Sequence, residues 1–133
     1  MNEYLERRVR KRAGDCCECC KIPALISDFT FPLDHIIAKQ HGGRTAYENL
    51  AVSCPHDNFH KGPNIAGLDP ETGRLTKLFN PRRQRCSTHF RWDGPKLVGM
   101  TASGRTTVFV LRINHPDRME LRRLLIEAGL FPP

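Results

Sequence analysis

Four of the six cysteines lie within a single five-residue run, Cys16–Cys20. Cysteines this close in sequence pair only with strained disulfide geometry, and the two remaining cysteines cannot complete a long-range framework. The run contains two overlapping Cys-x-x-Cys pairs, of which Cys17/Cys20 is one, and such clustering in a cytosolic protein is typical of metal or redox sites. A basic helical segment precedes the run and Pro23 follows it, which disfavours a thioredoxin-like redox motif. The cysteines therefore predict metal chemistry.

The chain carries 21 Lys and Arg against 14 Asp and Glu, a net charge of +7 over 133 residues. A surplus of this size favours a polyanionic partner, nucleic acid first, although ribosomal-type, membrane-surface and merely soluble basic proteins share it. Hydrophobic residues make up 39% and charged residues 26%, which is typical of a globular domain and not of a disordered chain. We therefore expect one domain over 1–133 with nucleic acid as its partner.

Neither a membrane span nor a secretory signal is predicted. No apolar stretch approaches the roughly 20 residues needed to cross a bilayer. The N-terminus, MNEYLERRVRKR, has no apolar segment after a basic start. We expect a cytoplasmic protein without a membrane partner, and the sequence does not indicate an oligomeric state.

The first half of the chain predicts a helix followed by a strand, a loop, a second strand and a short helix. The first helix covers 2–13, and Gly14 is a plausible stop. Strands are predicted within 29–37 and 49–53 because both are rich in residues that favour extended backbone. The second helix is predicted to begin at Pro55, whose missing N–H costs nothing there, and to run to about residue 61.

The second half is predicted to be less regular. Turn residues dominate 63–85, which predicts an irregular segment, and a hairpin is predicted over 89–100. The segment 105–113 is compatible with a strand or a helix. A final helix is predicted after an Asn114 cap, with an apolar face that serves as core packing. The residues of that face are Leu121, Leu124, Leu125 and Ala128.

Short motifs follow one another in a distinctive order between residues 12 and 62. They are Arg12-Ala13-Gly14 with Cys17-x-x-Cys20, then Asp34-His35-Ile36-Ile37, Gly42-Gly43, Glu48-Asn49-Leu50, and Cys54-x-x-x-Asn58-x-x-Lys61-Gly62. In this order they resemble the HNH endonucleases, whose core is a ββα-metal unit. The resemblance implies an α+β fold, with a small ββα-metal (His-Me finger) core flanked by an N-terminal helix and a C-terminal helical extension. The single HNH nuclease domain over 1–133 then has its motif core at 12–62, and 63–133 looks like an extension carried by some bacterial HNH proteins.

The motif residues suit a metal-dependent endonuclease that hydrolyses phosphodiester bonds of DNA. His35 is suited to be the general base that activates water, because an imidazole ordinarily titrates at about pH 6.5. Oxygens from Asp34 and Asn58 suit one hard cation on the scissile phosphate, Mg²⁺ or Mn²⁺/Ni²⁺. In HNH enzymes the residue that matches Asn49 holds the base in position. Adjacent strand residues point to opposite faces, so Asp34 and His35 converge only if the strand bends, which Pro32 favours.

The second cysteine motif departs from the family pattern. Zinc-stabilised members carry Cys-x-x-Cys where this chain has Cys54 and Asp57. Zinc accepts thiolate, imidazole and carboxylate ligands, so Cys17, Cys20, Cys54 and Asp57 are candidates for a structural Zn²⁺ site. His56 is the alternative fourth ligand, and the third alternative is that the fourth protein ligand is missing.

Other side chains are given lesser roles. The last motif position is Asn58, which makes an H-N-N variant; His60 is a rival ligand, but a residue two positions further on points about 200° away on a helix. Cys16 and Cys19 are expected to be bystanders, and Cys86 a buried or half-buried free thiol.

The resemblance implies double-stranded DNA as substrate and products with 5′-phosphate and 3′-hydroxyl ends. Basic side chains from both halves of the chain are candidate contacts to phosphates, which position a protein without sequence recognition. For the N-terminal run a solvated surface is the alternative. These candidates are Arg7, Arg8, Arg10, Lys11, Arg12, Lys61, Arg82, Arg83 and Arg85.

The alternative hypothesis is a non-catalytic zinc-stabilised module that binds nucleic acid. It explains the positive charge and the cysteines. It does not explain why the polar motif residues occur together in this order. Those residues are Asp34, His35, Asn49 and Asn58.

Overall fold

The computed structural model describes residues 1–132 and confirms the α+β class. The chain divides into two units, Met1–Ile65 and the part that begins at Ala66. Both units combine short helices with two-stranded antiparallel sheets. No helix within residues 1–132 is long and apolar enough to span a bilayer. One domain over 1–133 stays a prediction.

Helix α1 spans Glu3–Ala13, one residue shorter than the predicted 2–13. The difference arises because Asn2 is the N-cap, and its side-chain oxygen accepts a hydrogen bond from the Leu5 N–H at 2.7 Å. Gly14 ends the helix with φ +64°, a left-handed conformation that glycine adopts without strain. Val9 is the fully buried residue of this helix, so most of its basic surface faces outward.

Strands β1, Leu33–His35, and β2, Leu50–Val52, form an antiparallel pair in which His35 lies opposite Leu50. Both are shorter than the predicted 29–37 and 49–53. The ladder stops after Ile36 because the backbone of Ile37 bonds to the Asn49 side chain and not to a strand.

Helix α2 spans Pro55–Lys61, as the sequence predicts, with Pro55 in its first turn. Cys54 is the N-cap, and its sulfur accepts a hydrogen bond from the Asp57 N–H at 3.4 Å. Gly62 ends the helix with φ +51°. The strand–strand–helix order places the start of α2 directly after β2, so one short segment connects the sheet to the helix.

The second unit contains a hairpin where an irregular segment is predicted. Strands β3, Ala66–Leu68, and β4, Leu75–Lys77, pair within the turn-rich stretch. Asp69 organises the connection, because its carboxylate accepts hydrogen bonds from the Glu71 N–H and the Thr72 hydroxyl. The prediction of few regular elements over 63–85 is wrong here, since three-residue strands carry too little apolar pattern to stand out.

The rest of the second unit includes the predicted hairpin and two longer helices. Thr101 caps α4, which settles 105–113 as mainly helical. The cap of α5 is His115 and not Asn114, whose side chain instead bonds both backbone groups of Leu97. The elements are α3, Cys86–His89; β5, Phe90–Asp93; β6, Lys96–Gly99; α4, Ala102–Val110; and α5, Pro116–Glu127.

The buried face of α5 differs from the predicted apolar face. Leu125 is buried, but Leu124 is 49% exposed and Ala128 is exposed. Arg122 is fully buried instead, because its guanidinium donates to the carbonyls of Pro95 and Ile113. A charged side chain with carbonyl partners therefore takes a core position that apolar periodicity assigns to leucine.

Candidate functional site

Four buried side chains form a cluster in the first unit. Their ligand atoms, three thiol sulfurs and one carboxylate oxygen, all lie within 4.8 Å of one another. The cysteines in it are free thiols and not disulfides. The cluster members are Cys17, Cys20, Cys54 and Asp57.

The cluster has the spacing of a tetrahedral metal site. Cys20 Sγ lies 3.6 Å from Cys54 Sγ, and the Cys17 thiol donates to Asp57 Oδ2 at 3.2 Å. A tetrahedron with metal–sulfur bonds of about 2.3 Å has sulfur–sulfur edges of about 3.8 Å and slightly shorter sulfur–oxygen edges. Burial raises the pKa of Cys17 and Cys20, whereas hydrogen bonds from these two thiols lower the pKa of Cys54. The donor set fits a Zn²⁺ ion.

A tight turn holds the first two cysteines against β2. Within it, the Cys17 N–H donates to the Ile22 carbonyl and the Lys21 N–H donates to the Cys17 carbonyl. Glu18 fastens the turn to Val52, donating its N–H to the Val52 carbonyl and accepting the Val52 N–H on its carboxylate at 2.7 Å. Sequence reasoning missed Glu18, because its partner is 34 residues away.

The other cysteines and His56 lie outside this cluster. Cys16 and Cys19 are half-buried, while Cys86 is exposed, so the prediction of a buried or half-buried Cys86 is wrong. Cys86 begins the one-turn helix α3, which contains no buried residue. The ring of His56 instead packs against His60, with 4.5 Å between the ring centroids.

Asp34 pairs with Lys61 across the β1–α2 junction. The Lys61 ammonium nitrogen lies 3.0 Å from Asp34 Oδ2 and also donates to the His35 carbonyl at 3.2 Å. Both side chains of the ion pair are only 12% exposed. Burial raises the pKa of Asp34, and the Lys61 charge opposes that shift. The phosphate contact of Lys61 stays a prediction, and within the protein its ammonium bonds Asp34 and the His35 carbonyl.

The imidazole of His35 contacts the loop that follows β1. Its Nε2 lies 2.8 Å from Thr45 Oγ1, and the ring is half-buried. Asp34 reaches α2 while His35 reaches Thr45, so the two neighbouring side chains contact different elements. Lys61 links them, since it bonds both the Asp34 carboxylate and the His35 carbonyl. Thr45 gave no sequence signal, because a lone threonine in a loop is common.

Asn49 holds this loop and does not bond the His35 ring. Its Oδ1 accepts the Ile37 N–H at 2.9 Å, and its Nδ2 donates to the carbonyls of Ile37 and Arg44. The loop closes so tightly that a Cβ on Gly43 would lie 1.6 Å from the Ile37 carbonyl oxygen. Asn49 therefore fixes the backbone on both sides of the loop that carries Thr45.

Asn58 lies three residues before Lys61 in α2, so the two side chains share one face of the helix. Lys61 contacts Asp34 in β1. His60 lies about 100° away from Lys61 around the helix. Asn58 stays the predicted companion of Asp34, and His60 stays the rival ligand.

The predicted phosphate contacts fall into two groups. Two of the arginines on α1 serve the fold: Arg10 pairs with Glu6 and donates to the Phe31 carbonyl, and Arg12 donates to the carbonyls of Tyr47 and Leu50. Arg82 in the second unit is half-buried. The candidates with exposed side chains are Arg7, Arg8, Lys11, Arg83 and Arg85.

Comparison with known proteins finds a family similarity within the first unit. Residues 17–64 match the family model described as HNH endonuclease, which confirms the resemblance over those residues. The chain is 25% identical over 125 residues to the Septu protein PtuB of Bacillus thuringiensis, a match that covers 92% of this chain and 46% of that protein. The chain thus spans about half the length of the curated relative it matches. No solved structure matches the chain.

Proposed function

We propose that this protein, whose residues 17–64 match the HNH endonuclease family model, is a metal-dependent endonuclease that hydrolyses phosphodiester bonds of double-stranded DNA. The family match supports nuclease chemistry. The observation that carries the proposal is the end of β1, where neighbouring residues supply a half-buried imidazole and a carboxylate, and where Lys61 bonds the Asp34 carboxylate and the His35 backbone carbonyl. The products have 5′-phosphate and 3′-hydroxyl ends.

His35 is the general base in this proposal. Its Nε2 lies 2.8 Å from Thr45 Oγ1, and in the tautomer whose Nε2–H donates to that oxygen the lone pair of Nδ1 is left to take a proton from water. Asn49 acts as a positioning residue, because it bonds the backbone on both sides of the loop that contains Thr45. The base is therefore oriented by a loop that is itself hydrogen-bonded at both ends.

Asp34 and Asn58 would hold the catalytic cation. The Asp34 carboxylate pairs with the Lys61 ammonium at 3.0 Å, so a bound metal ion would share this carboxylate with Lys61 or replace the ammonium. Carboxylate and amide oxygens are ligands that Mg²⁺, Mn²⁺ and Ni²⁺ accept, and so few protein ligands leave positions for phosphate and water. When bound, the ion polarises the scissile phosphate and stabilises the charge that develops on the leaving oxygen.

The cysteine cluster would hold a structural Zn²⁺ ion. Its four donor atoms are buried and leave no open position for substrate, which distinguishes a structural site from a catalytic one. The cluster includes the N-cap of α2, so the ion would stabilise the helix that presents Asn58 and Lys61.

A plasmid assay tests the nuclease. Supercoiled plasmid is incubated with Mg²⁺ and the wild-type protein, His35→Ala or His41→Ala, and nicked and linear products are measured on gels. We expect His35→Ala to lose cleavage by about 10²-fold or more while it retains DNA binding, and the exposed control His41→Ala to cleave normally. Equal cleavage by His35→Ala refutes its assignment as the base. Binding without cleavage in Mg²⁺, Mn²⁺ and Ni²⁺ would establish a non-catalytic module instead.

A further inference from the structure

Aromatic rings and guanidinium groups alternate along one side of α1. The Arg8 guanidinium carbon lies 4.2 Å from the centre of the Tyr47 ring and 5.7 Å from that of Tyr4. The Arg12 guanidinium carbon lies 4.0 Å from the Tyr47 ring. These side chains line an open groove of about 480 Å³ together with Lys11. We call it the α1 groove.

The two arginines of the α1 groove differ in their hydrogen-bond partners. Arg12 donates to the carbonyls of Tyr47 and Leu50, so its guanidinium serves the fold. Arg8 is exposed, and within residues 1–132 no carboxylate or carbonyl pairs with it; its contacts are the two tyrosine rings. Arg8 therefore keeps its donors available in a groove whose lining includes no acidic residue.

We infer that the α1 groove binds one backbone phosphate of a nucleic acid on Arg8, an inference that rests on the proposed function. The tyrosine rings restrict the guanidinium, so less conformational entropy is lost when its planar donors bond a phosphate. Lys11 lies three residues on, on the same side of the helix, and adds a second positive charge. The ring of Tyr4 is 65% exposed and lies beside the site, where it can pack against the adjacent sugar or base.

A matched pair of variants isolates this site. Arg7 is the neighbouring exposed arginine on α1 and lines no part of the groove, so Arg7→Ala removes the same charge as Arg8→Ala. Both are made in the His35→Ala background, so that the DNA survives. Binding to a fluorescein-labelled duplex of about 20 base pairs, and to one of its single strands, is measured by anisotropy over a range of salt concentrations without added Mg²⁺.

We expect Arg8→Ala to weaken binding about tenfold and to reduce the slope of log K against log salt by about one. Arg7→Ala, which removes a candidate phosphate contact outside the groove, should weaken binding clearly less than Arg8→Ala. Arg8→Lys, which keeps the charge but loses the planar fork, should fall between them. Tyr4→Leu should weaken binding to whichever DNA form packs a sugar or base on the ring. Melting temperatures verify that each variant is folded.

Equal losses in Arg7→Ala and Arg8→Ala would overturn the phosphate site, since they indicate a diffuse positive surface. Wild-type affinity in Arg8→Lys together with equal losses in the two alanine variants leads to the same conclusion. The nuclease proposal is judged separately by plasmid cleavage. If binding depends on Arg8 but the protein cleaves no DNA, the nuclease proposal is refuted and the phosphate site is supported. If the protein cleaves DNA but binding does not depend on Arg8, the phosphate site is refuted and the nuclease proposal is supported.

Discussion

The ammonium nitrogen of Lys61 lies 3.0 Å from Oδ2 of Asp34, and both side chains are nearly inaccessible to water. Lys61 belongs to the end of α2 and Asp34 to the middle of β1, so the pair joins the two elements that carry the proposed cation ligands. Removal of one partner from such a pair leaves an uncompensated charge in a poorly hydrated site.

Lys61→Met should therefore lower the free energy of unfolding by about 1–3 kcal/mol, because the Asp34 carboxylate loses its partner. The control is Lys39→Met at an exposed position, for which we expect a change below about 0.5 kcal/mol. Urea unfolding followed by circular dichroism gives both values. Equal stabilities of the two variants would contradict a structural role for the Lys61–Asp34 pair.

Thr45→Val should reduce kcat about tenfold or more, because the His35 ring loses the hydrogen-bond partner of its Nε2. Thr45→Ser keeps the hydroxyl and should restore most of the activity. Kinetics on a labelled duplex with Mg²⁺ separate kcat from KM, and only kcat should change. A pH–rate profile that is the same for Thr45→Val and wild type would count against the orientation of His35 by Thr45.

Asn49→Asp keeps an acceptor for the Ile37 N–H but loses both donations to the carbonyls of Ile37 and Arg44. We expect stability to fall by roughly 0.5–1.5 kcal/mol and cleavage to fall with it, since two backbone carbonyls then lose their donor. Asn64→Asp, at an exposed position just after α2, is the control. Chemical denaturation at neutral pH measures the difference, and a wild-type unfolding midpoint in Asn49→Asp would disprove the role of the amide.

Purified protein should contain about one zinc per chain, and Cys54→Ala should lose it together with a lower melting temperature. Cys86→Ala removes an exposed thiol outside the cluster and should change neither quantity. Asp57→Cys should retain zinc, because it restores a fourth thiolate, whereas Asp57→Ala should weaken binding. Elemental analysis measures the zinc content, and thermal unfolding measures the melting temperature. Wild-type protein that contains no zinc, and whose melting temperature does not change when a chelator is added, would exclude the site.

The ion pair of Asp69 with Arg105 should make the stability of the fold sensitive to acid. Hydrogen bonds from Arg105, at 2.9 and 3.1 Å, hold the pKa of this carboxyl below its usual range. The unfolded chain therefore takes up the proton first, and the stability that Asp69 contributes is present above about pH 4 and is lost as pH falls further. Asp69→Asn should be less stable at pH 7 and should lose less stability between pH 5 and pH 2, approximate limits set by the same pKa values.

Glu71→Gln is the matched control for Asp69, because Glu71 also faces Arg105 at 3.1 Å but its side chain is 67% exposed. Its acid dependence should resemble that of the wild type, since solvent screens an exposed pair. Thermal unfolding at a series of pH values makes the comparison. If Asp69→Asn and Glu71→Gln reduce the acid dependence of stability equally, that dependence does not arise from Asp69.

Local signals explain which parts of the fold were predictable. Pro55 and Gly62 bound α2 at its observed ends, and Gly14 ends α1, because these residues act through their own backbone geometry. The hairpin over 66–77 was missed, since its stability depends on Asp69 and on a partner, Arg105, that is 36 residues away.

The site shows the same division between local and distant information. The structure brings together the four proposed zinc ligands, whose spacing in sequence already indicates a cluster. Thr45 and Glu18 could not be found in this way, because each acquires its role from a contact made by folding. The charge run on α1 predicts phosphate contacts uniformly, whereas in the structure Arg10 and Arg12 also bond backbone carbonyls, a role that the charge pattern does not indicate.

Helix α2 has only seven residues, which at the usual rise amounts to about 10 Å. Cys54, its cap, belongs to the buried thiol cluster, and Lys61, its last residue, to the ion pair with Asp34. So short a rod has almost no capacity to bend, and any tilt at one end appears at the other. A change in the geometry of the cysteine cluster should therefore also move Lys61 and the Asp34 carboxylate that pairs with it.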